Sequence, residues 1–238
     1  MKKIVLTLLP LTIFLSGCLY PNNELRENQF TNDQQLEQVQ DAVKTYQEQN
    51  NGLLPIQTRD DDTPLFIKYP VDFNTLRNQN LIGSTPGNAY EKGGVYSYVI
   101  IDPEEEATVK VADARVTQHL RSVIYDVTVY KKRNGSPPYG EQVGEGHYMI
   151  NEERLNTNHE TTVSSPYSDM ELDIIVNVQG DVLIDYRPEV YQLIENEGIE
   201  KYSGDLRYLL MEYHPMVPVY SSPMVLEDGE IEFTNEVE

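Results

Sequence analysis

Apolar positions along this chain fall into two spacings, and each change of spacing marks an element. Residues 4–15 are mostly apolar and follow Met1-Lys2-Lys3. That run of about 12 residues is short of the roughly 20 needed to span a bilayer. Residues 19–31 (LYPNNELRENQFT) are polar and aperiodic, and read as a tether. Thr31 with Gln34 three positions on is a capping-box pattern that predicts a helix start. Leu36, Val39, Val43 and Tyr46 then recur at helical spacing. Asn50-Asn51-Gly52 ends this helix, and Pro55 prevents its resumption. A second helical face runs over about residues 114–132, through Val116, Leu120, Val123, Ile124, Val127 and Tyr130. Its β-branched content favours strand over residues 123–129, so both readings stand at that point. Asn134-Gly135 and Pro137-Pro138 follow.

The two helices open what reads as an internal duplication. Tyr46, Gly52 and Pro55 match Tyr130, Gly135 and Pro138. Tyr69-Pro70-Val71-Asp72 with Leu76 matches Tyr148-Met149-Ile150-Asn151 with Leu155. In both, an Asp or Asn is placed to cap a short helical turn. Ser84-Thr85-Pro86 matches Ser164-Ser165-Pro166, and alternating strands follow at residues 95–101 and 172–178. The second strand of each hairpin closes on Asp113-Ala114-Arg115 or Asp185-Tyr186-Arg187. Helix–turn–hairpin units also recur for purely local reasons, because Asn-Gly and Ser-Pro are common loop punctuation. Eight matches in one order favour duplication.

Beyond Arg187 the pattern shortens. Pro188 suits a first helical position, with Val190, Leu193 and Ile194 on one face. Ser203 or Asp205 can cap a further helix through Leu206, Leu209, Leu210 and Tyr213, stopped by Pro215. Residues 216–219 and 224–233 read as extended around Asp228-Gly229. The expected fold class is α+β: two similar helix–turn–β-hairpin units with a short C-terminal α/β extension. The expected divisions are a signal peptide at 1–17, a lipidated tether at 18–31, repeats at 32–115 and 116–187, and an extension with an acidic tail at 188–238.

The charged start, short apolar core and small residues before a cut form a secretory signal. Leu15-Ser16-Gly17-Cys18, which holds the only cysteine, resembles the lipobox of bacterial lipoproteins. That resemblance implies lipidation at Cys18, cleavage before it, and acyl chains such as palmitate holding the chain at the outside of the cell membrane. Two or more acyl chains suffice for stable retention. Acylated Cys18 would leave no thiol for a disulfide or a thiol catalyst. Loss of Lys2 and Lys3 leaves 16 basic against 39 acidic residues, a net charge of −23. Such charge repels nucleic acid phosphates, so no nucleic-acid partner is expected. It also keeps the folded part off an anionic lipid surface. Acidity spread along the whole chain serves solubility before it marks a binding patch. Tyrosine (17) outnumbers phenylalanine (5), and tryptophan is absent, so much of the aromatic surface carries a hydroxyl that needs a partner.

Candidate chemistry is sparse. Asp-x-Arg occurs three times, at Asp113/Arg115, Asp185/Arg187 and Asp205/Arg207. On a strand, positions i and i+2 share a face, so the first two pairs can offer a carboxylate beside a guanidinium to a carboxylate or zwitterion. A salt bridge pinning the strand end is the simpler reading, and a helix cap is the simpler reading of the third. Tyr69 and Tyr148 can line a pocket between the units, or pack under the short helices that follow them. The four histidines show no metal-ligand spacing, and the Asp60-Asp61-Asp62 and Glu104-Glu105-Glu106 runs lack the pattern of a Ca²⁺ loop. No metal or other cofactor is expected. No G-x-S-x-G, P-loop or G-x-G-x-x-G is present.

The segments GLLPI, TPLFIKYPVDF, VSSPYS and DVLIDYRPEVYQLI are similar to those of the YphF-like lipoproteins of Gram-positive spore-formers. The resemblance covers nearly all of the mature chain and brings no catalytic residues. Members are sometimes labelled as binding components of ABC transporters, which implies a small solute as a partner. The expected function is non-enzymatic: a membrane-anchored envelope protein that binds a protein partner or acts as a scaffold. One alternative is a solute receptor with ligand between the two repeats. Another is an envelope hydrolase with an unfamiliar site.

Overall fold

The computed structural model describes residues 26–234, with side chains from residue 32. The signal peptide, Cys18, the first part of the tether and the last four residues of the acidic tail lie outside it. Val39 and Val43 place one buried stripe along α1 (Arg26–Gln49). The helix therefore starts inside the segment expected to be tether. Residues 26–31 contain neither Gly nor Pro, so nothing local stops a helix whose later turns are already packed. A short bridge pairs Ile56 with Val71. Asp72 then caps α2 (Phe73–Asn78), its carboxylate accepting from the Asn74 and Thr75 amides. The hairpin β1 (Tyr96–Ile101) and β2 (Thr108–Asp113) follows.

The ambiguous second segment is helical throughout, as α3 (Ala114–Asn134). Val116, Leu120, Val123 and Val127 are its buried stripe, and burial of that stripe outweighs the β propensity of its branched residues. Gly135, at φ 81°, closes it in the left-handed conformation. The second unit is more than the expected helix, turn and hairpin. A further hairpin, β3 (Tyr139–Gly144) and β4 (His147–Ile150), precedes the short α4 (Glu152–Leu155). β5 (Thr162–Ser164), β6 (Glu171–Asn177) and β7 (Val182–Ile184) complete an antiparallel five-stranded sheet. β4 and β5 pair with β6, and β7 pairs with it too. The β3–β4 hairpin is hard to see in sequence because YGEQVG carries two glycines and its register shifts twice.

α5 (Arg187–Glu197) and α6 (Leu206–Tyr213) come next, then the hairpin β8 (Met224–Glu227) and β9 (Glu230–Phe233). Two apolar clusters form. The first joins Val39 and Val43 of α1 to Phe73, Leu76, Tyr98, Ile100, Val109 and Val111. The second joins α3, the five-stranded sheet, α5 and α6, and takes in Val99, Ile101 and Ala112. Successive residues of β1 thus face different clusters, as the period of a strand requires, and the hairpin is buried on both faces. Residues 215–220 tie the halves together. The Val111 amide donates to Pro215 O (3.0 Å) and Val217 donates back to Val111 O (3.0 Å), while the Ile184 amide donates to Tyr220 O (2.8 Å).

Candidate functional site

The three Asp-x-Arg pairs adopt one geometry. Each aspartate sits just before a helix and accepts the backbone N–H of its arginine, at 2.8 Å for Asp113, 3.0 Å for Asp185 and 3.0 Å for Asp205. That bond satisfies an amide the helix leaves orphaned. Each arginine then folds back onto its own aspartate. Nη2 lies 2.6 Å from the carboxylate of Asp113, 2.6 Å from that of Asp185 and 2.5 Å from that of Asp205, with Nε also bonded in all three. All three are salt bridges, and Asp113 and Asp205 are also the N-caps of α3 and α6, whereas Tyr186 holds that place in α5 with Asp185 one residue before it. Their carboxylates bond first within the pair, and Asp205 Oδ1 also accepts the Met224 amide at 3.4 Å.

What covers the outer edge of each guanidinium differs. Arg207 Nη1 donates to Ser221 O (3.1 Å), and its face lies 5.0 Å from the Phe66 ring centre. Arg187 Nη1 donates to Val143 O (2.8 Å), and its face lies 4.2 Å from Phe233. Arg115 has neither partner among the described residues, and its side chain is 53% exposed against 17% and 7% for Arg187 and Arg207. The hydrogen bonds to Asp113 raise the Arg115 pKa above its ordinary value despite partial burial, so it stays cationic.

Two cavities flank the first turns of α3. One, of about 600 Å³, is lined by Asp113, Arg115 and His119 on one side and by Glu160, Thr162 and Ser164 on the other. The His119 ring contacts Glu160 O at 3.0 Å. The other, of about 750 Å³, lies between Arg59, Thr63 and Tyr90 of the first unit and Thr117, Gln118 and Arg121 of α3. Tyr69 and Tyr148 line neither. Tyr69 packs against the first cluster, with Lys68 Nζ 6.0 Å from its ring centre. Tyr148 packs against the second, 4.7 Å from Tyr139. Of the candidate ligand-binding residues read from sequence, Asp113 and Arg115 meet in the smaller cavity, and Asp60 and Asp62 of the acidic run line the larger. Arg59 and Arg121 carry no sequence signal beyond their charge.

A serine–histidine pair is also present, formed by residues 75 positions apart. His147 Nε2 lies 2.7 Å from Ser222 Oγ, and Nδ1 lies 2.7 Å from Glu145 O. With Nδ1 donating to the carbonyl, Nε2 is the acceptor for the serine hydroxyl, as a general base requires. Both residues are buried, and the imidazole stacks on Phe233 at 4.1 Å. Burial holds the His147 pKa below its ordinary value; the Glu145 carbonyl acts in the opposite direction. Neither residue lines either cavity, so the pair locks β9 and the Ser222 segment against the sheet. The other histidines are engaged separately, His159 with Asp126 at 2.7 Å and His214 against Tyr167 at 5.0 Å. The latter also has its pKa lowered, by burial first.

Residues 32–113 match the YphF family N-terminal domain, which supports a YphF-like family for the chain. The match ends at Asp113, the cap of α3. No curated protein and no solved structure matches. No helix among the described residues is long and apolar enough to cross a membrane.

Proposed function

We propose that this chain is a lipid-anchored protein on the extracytoplasmic face of the cell membrane, built from a duplicated unit, that holds a partner and catalyses no reaction. The observation that carries the location is Leu15-Ser16-Gly17-Cys18 after a short apolar run, with an acidic chain beyond it. The duplication draws support from matching backbone bonds. The Asp72 amide donates to Pro55 O at 2.7 Å, and the Asn151 amide to Pro138 O at 2.7 Å. These are the pairs that the sequence alignment of the two halves sets opposite each other. The non-enzymatic reading draws support from how the polar clusters are used: the Asp–Arg carboxylates and the Ser222–His147 pair bond the chain to itself.

Replacing Cys18 tests the anchor. Cys18→Ser should move the protein from the membrane fraction to the medium and remove the mass of the acyl chains. Equal retention of the variant, with unchanged mass, sinks the proposal. Crosslinking in intact cells should then recover a protein partner from wild-type cells.

A solute receptor is the second reading, favoured by the cavity of about 750 Å³ lined from both halves, with Arg59 and Arg121 on its walls. A thermal-shift panel of amino acids, peptides and sugars tests it. Ligand at about 100-fold over its Kd should stabilise by about 2.7 kcal/mol. A flat panel returns the weight to a protein partner.

A further inference from the structure

The unpartnered edge of Arg115 faces an unpartnered strand edge. In the β5–β6 ladder, Ile174 N donates to Thr161 O and Ser165 N donates to Met170 O, both at 2.8 Å. Bonding therefore alternates, with residues 161, 163 and 165 turned toward β6. Thr162 and Ser164 turn their amides and carbonyls the other way, where no partner meets them among the described residues. Thr162, Val163 and Ser164 form one wall of the 600 Å³ cavity, and Arg115 stands on the opposite wall. An open edge of this kind is a template for one more strand.

The chain itself shows what such a guanidinium takes. At Arg187 and Arg207 the same fold-back onto aspartate leaves Nη1 to capture a backbone carbonyl and the flat face to cover a phenylalanine. We propose that the groove between Arg115 and β5 docks an extended segment of a partner protein. That segment adds to the β5 edge through Thr162 and Ser164, gives a backbone carbonyl to Arg115 Nη1, and lays an aromatic side chain on the guanidinium face. Glu160 and Glu171 on the groove wall, in a chain of net charge −21, select a segment with basic rather than acidic flanks. This rests on the binding-protein reading above and assigns it a site.

The probe is a displayed library of random linear dodecapeptides, selected on the soluble chain from residue 19. Selection should enrich peptides with an aromatic residue at a fixed position and Lys or Arg beside it. Arg115→Ala should weaken a selected peptide about tenfold, and Arg115→Lys nearly as much, because the ammonium lacks the fork. Ser164→Pro should weaken it as well. That proline removes an outward amide and the Ser164 Oγ bond to Glu171 (2.6 Å), while the backbone bonds of the β5–β6 ladder stay, and Ser164→Ala, which loses the hydroxyl alone, is the control for melting temperature and binding. An empty selection, or peptides indifferent to both Arg115→Ala and Ser164→Pro, overturns the groove. So does a dimer of the wild-type chain that Arg115→Ala dissolves, since the occupant is then a second copy. A partner crosslinked equally by wild-type and Arg115→Ala cells overturns the groove while leaving the binding-protein reading intact.

Discussion

Because the three Asp–Arg clamps share one bonding pattern and differ mainly in burial, truncating each arginine to alanine forms a graded series. Arg207 and Asp205 have 7% and 3% of their side chains exposed. Asp205 Oδ1 also accepts the Arg207 amide at 3.0 Å and the Met224 amide at 3.4 Å. Arg207→Ala leaves that carboxylate buried without its counter-charge, and removing one member of a buried pair costs about 3–5 kcal/mol. The guanidinium plane over Phe66 and its bond to Ser221 O go with it. At the other end, the Arg115 side chain is 53% exposed while that of Asp113 is 4% exposed, so water screens one partner of the pair and its loss should cost less than that of Arg207, about 1–3 kcal/mol. Arg187→Ala should fall between them, losing the Val143 O bond and the cover over Phe233. For a chain of this size, 1 kcal/mol moves Tm by about 2–4 °C, so the losses should be about 6–20 °C for Arg207 and a smaller one of about 2–12 °C for Arg115. Thermal and urea unfolding of the soluble chain would read both. The double variant Asp205→Asn/Arg207→Met should recover part of the loss, because asparagine keeps the cap and methionine fills space without stranding a charge. Equal shifts at all three sites would refute the argument that burial sets the value of the clamp. A loss at Arg115 as large as at Arg207 would also mean that Arg115 holds the fold together, and would remove it as a docking group.

Further outcomes follow from the same geometry. His147 and His214 have folded pKa values below the ordinary 6.5, so the unfolded chain binds more protons than the folded one just below that pH. Stability should fall as pH drops through about 6.5 toward the folded values, and His147→Gln/His214→Gln should flatten that slope in melts from pH 7.5 to 5. Gly94→Ala should prevent stable folding, read as loss of soluble monomer, because an added Cβ would lie 2.0 Å from Asn88 O, a backbone atom with no room to yield. Gly144→Ala is gentler in kind: its Cβ meets the Phe233 ring at 2.7 Å, so the ring must leave its place between His147 and Arg187. It should cost about 1–3 kcal/mol by urea unfolding.

Periodicity in the chain located α1 and α3, because each buries a single stripe that repeats at helical spacing. The strands β1, β2, β6 and β7 were legible from alternation and turn residues. Two kinds of feature were not. The N-terminal reach of α1 to Arg26 depends on propagation from packed turns, and a polar sequence gives no mark of where propagation stops. The β3–β4 hairpin forms because β6 offers it an edge, which is a long-range fact. At the candidate site, Asp113 and Arg115 stood out by their repeat and Ser164 as part of a repeated loop, but nothing marked Thr162 and Ser164 as an open strand edge. Their importance lies in the direction their amides face, and pairing with β6 sets that direction.

The same separation explains why an identical tripeptide pattern has three fates. Asp-x-Arg at a helix start closes on itself for local reasons, the cap and the fork both being within reach. What the arginine does with its remaining edge is settled by segments remote from it in sequence. Phe233 and Val143 reach Arg187, and Ser221 meets Phe66 over Arg207. Each of those segments leaves the guanidinium less exposed to water. At Arg115 the corresponding space is bounded by β5, whose outward Thr162 and Ser164 carbonyls make no bond to Nη1, so β5 brings a wall and leaves that edge of the guanidinium open. A chain that buried this third edge would gain a little stability and lose a place for anything else to dock. The exposed clamp and the open strand edge are therefore one feature, and a substitution that fills the space, such as Ser164→Phe, should raise Tm while abolishing peptide binding.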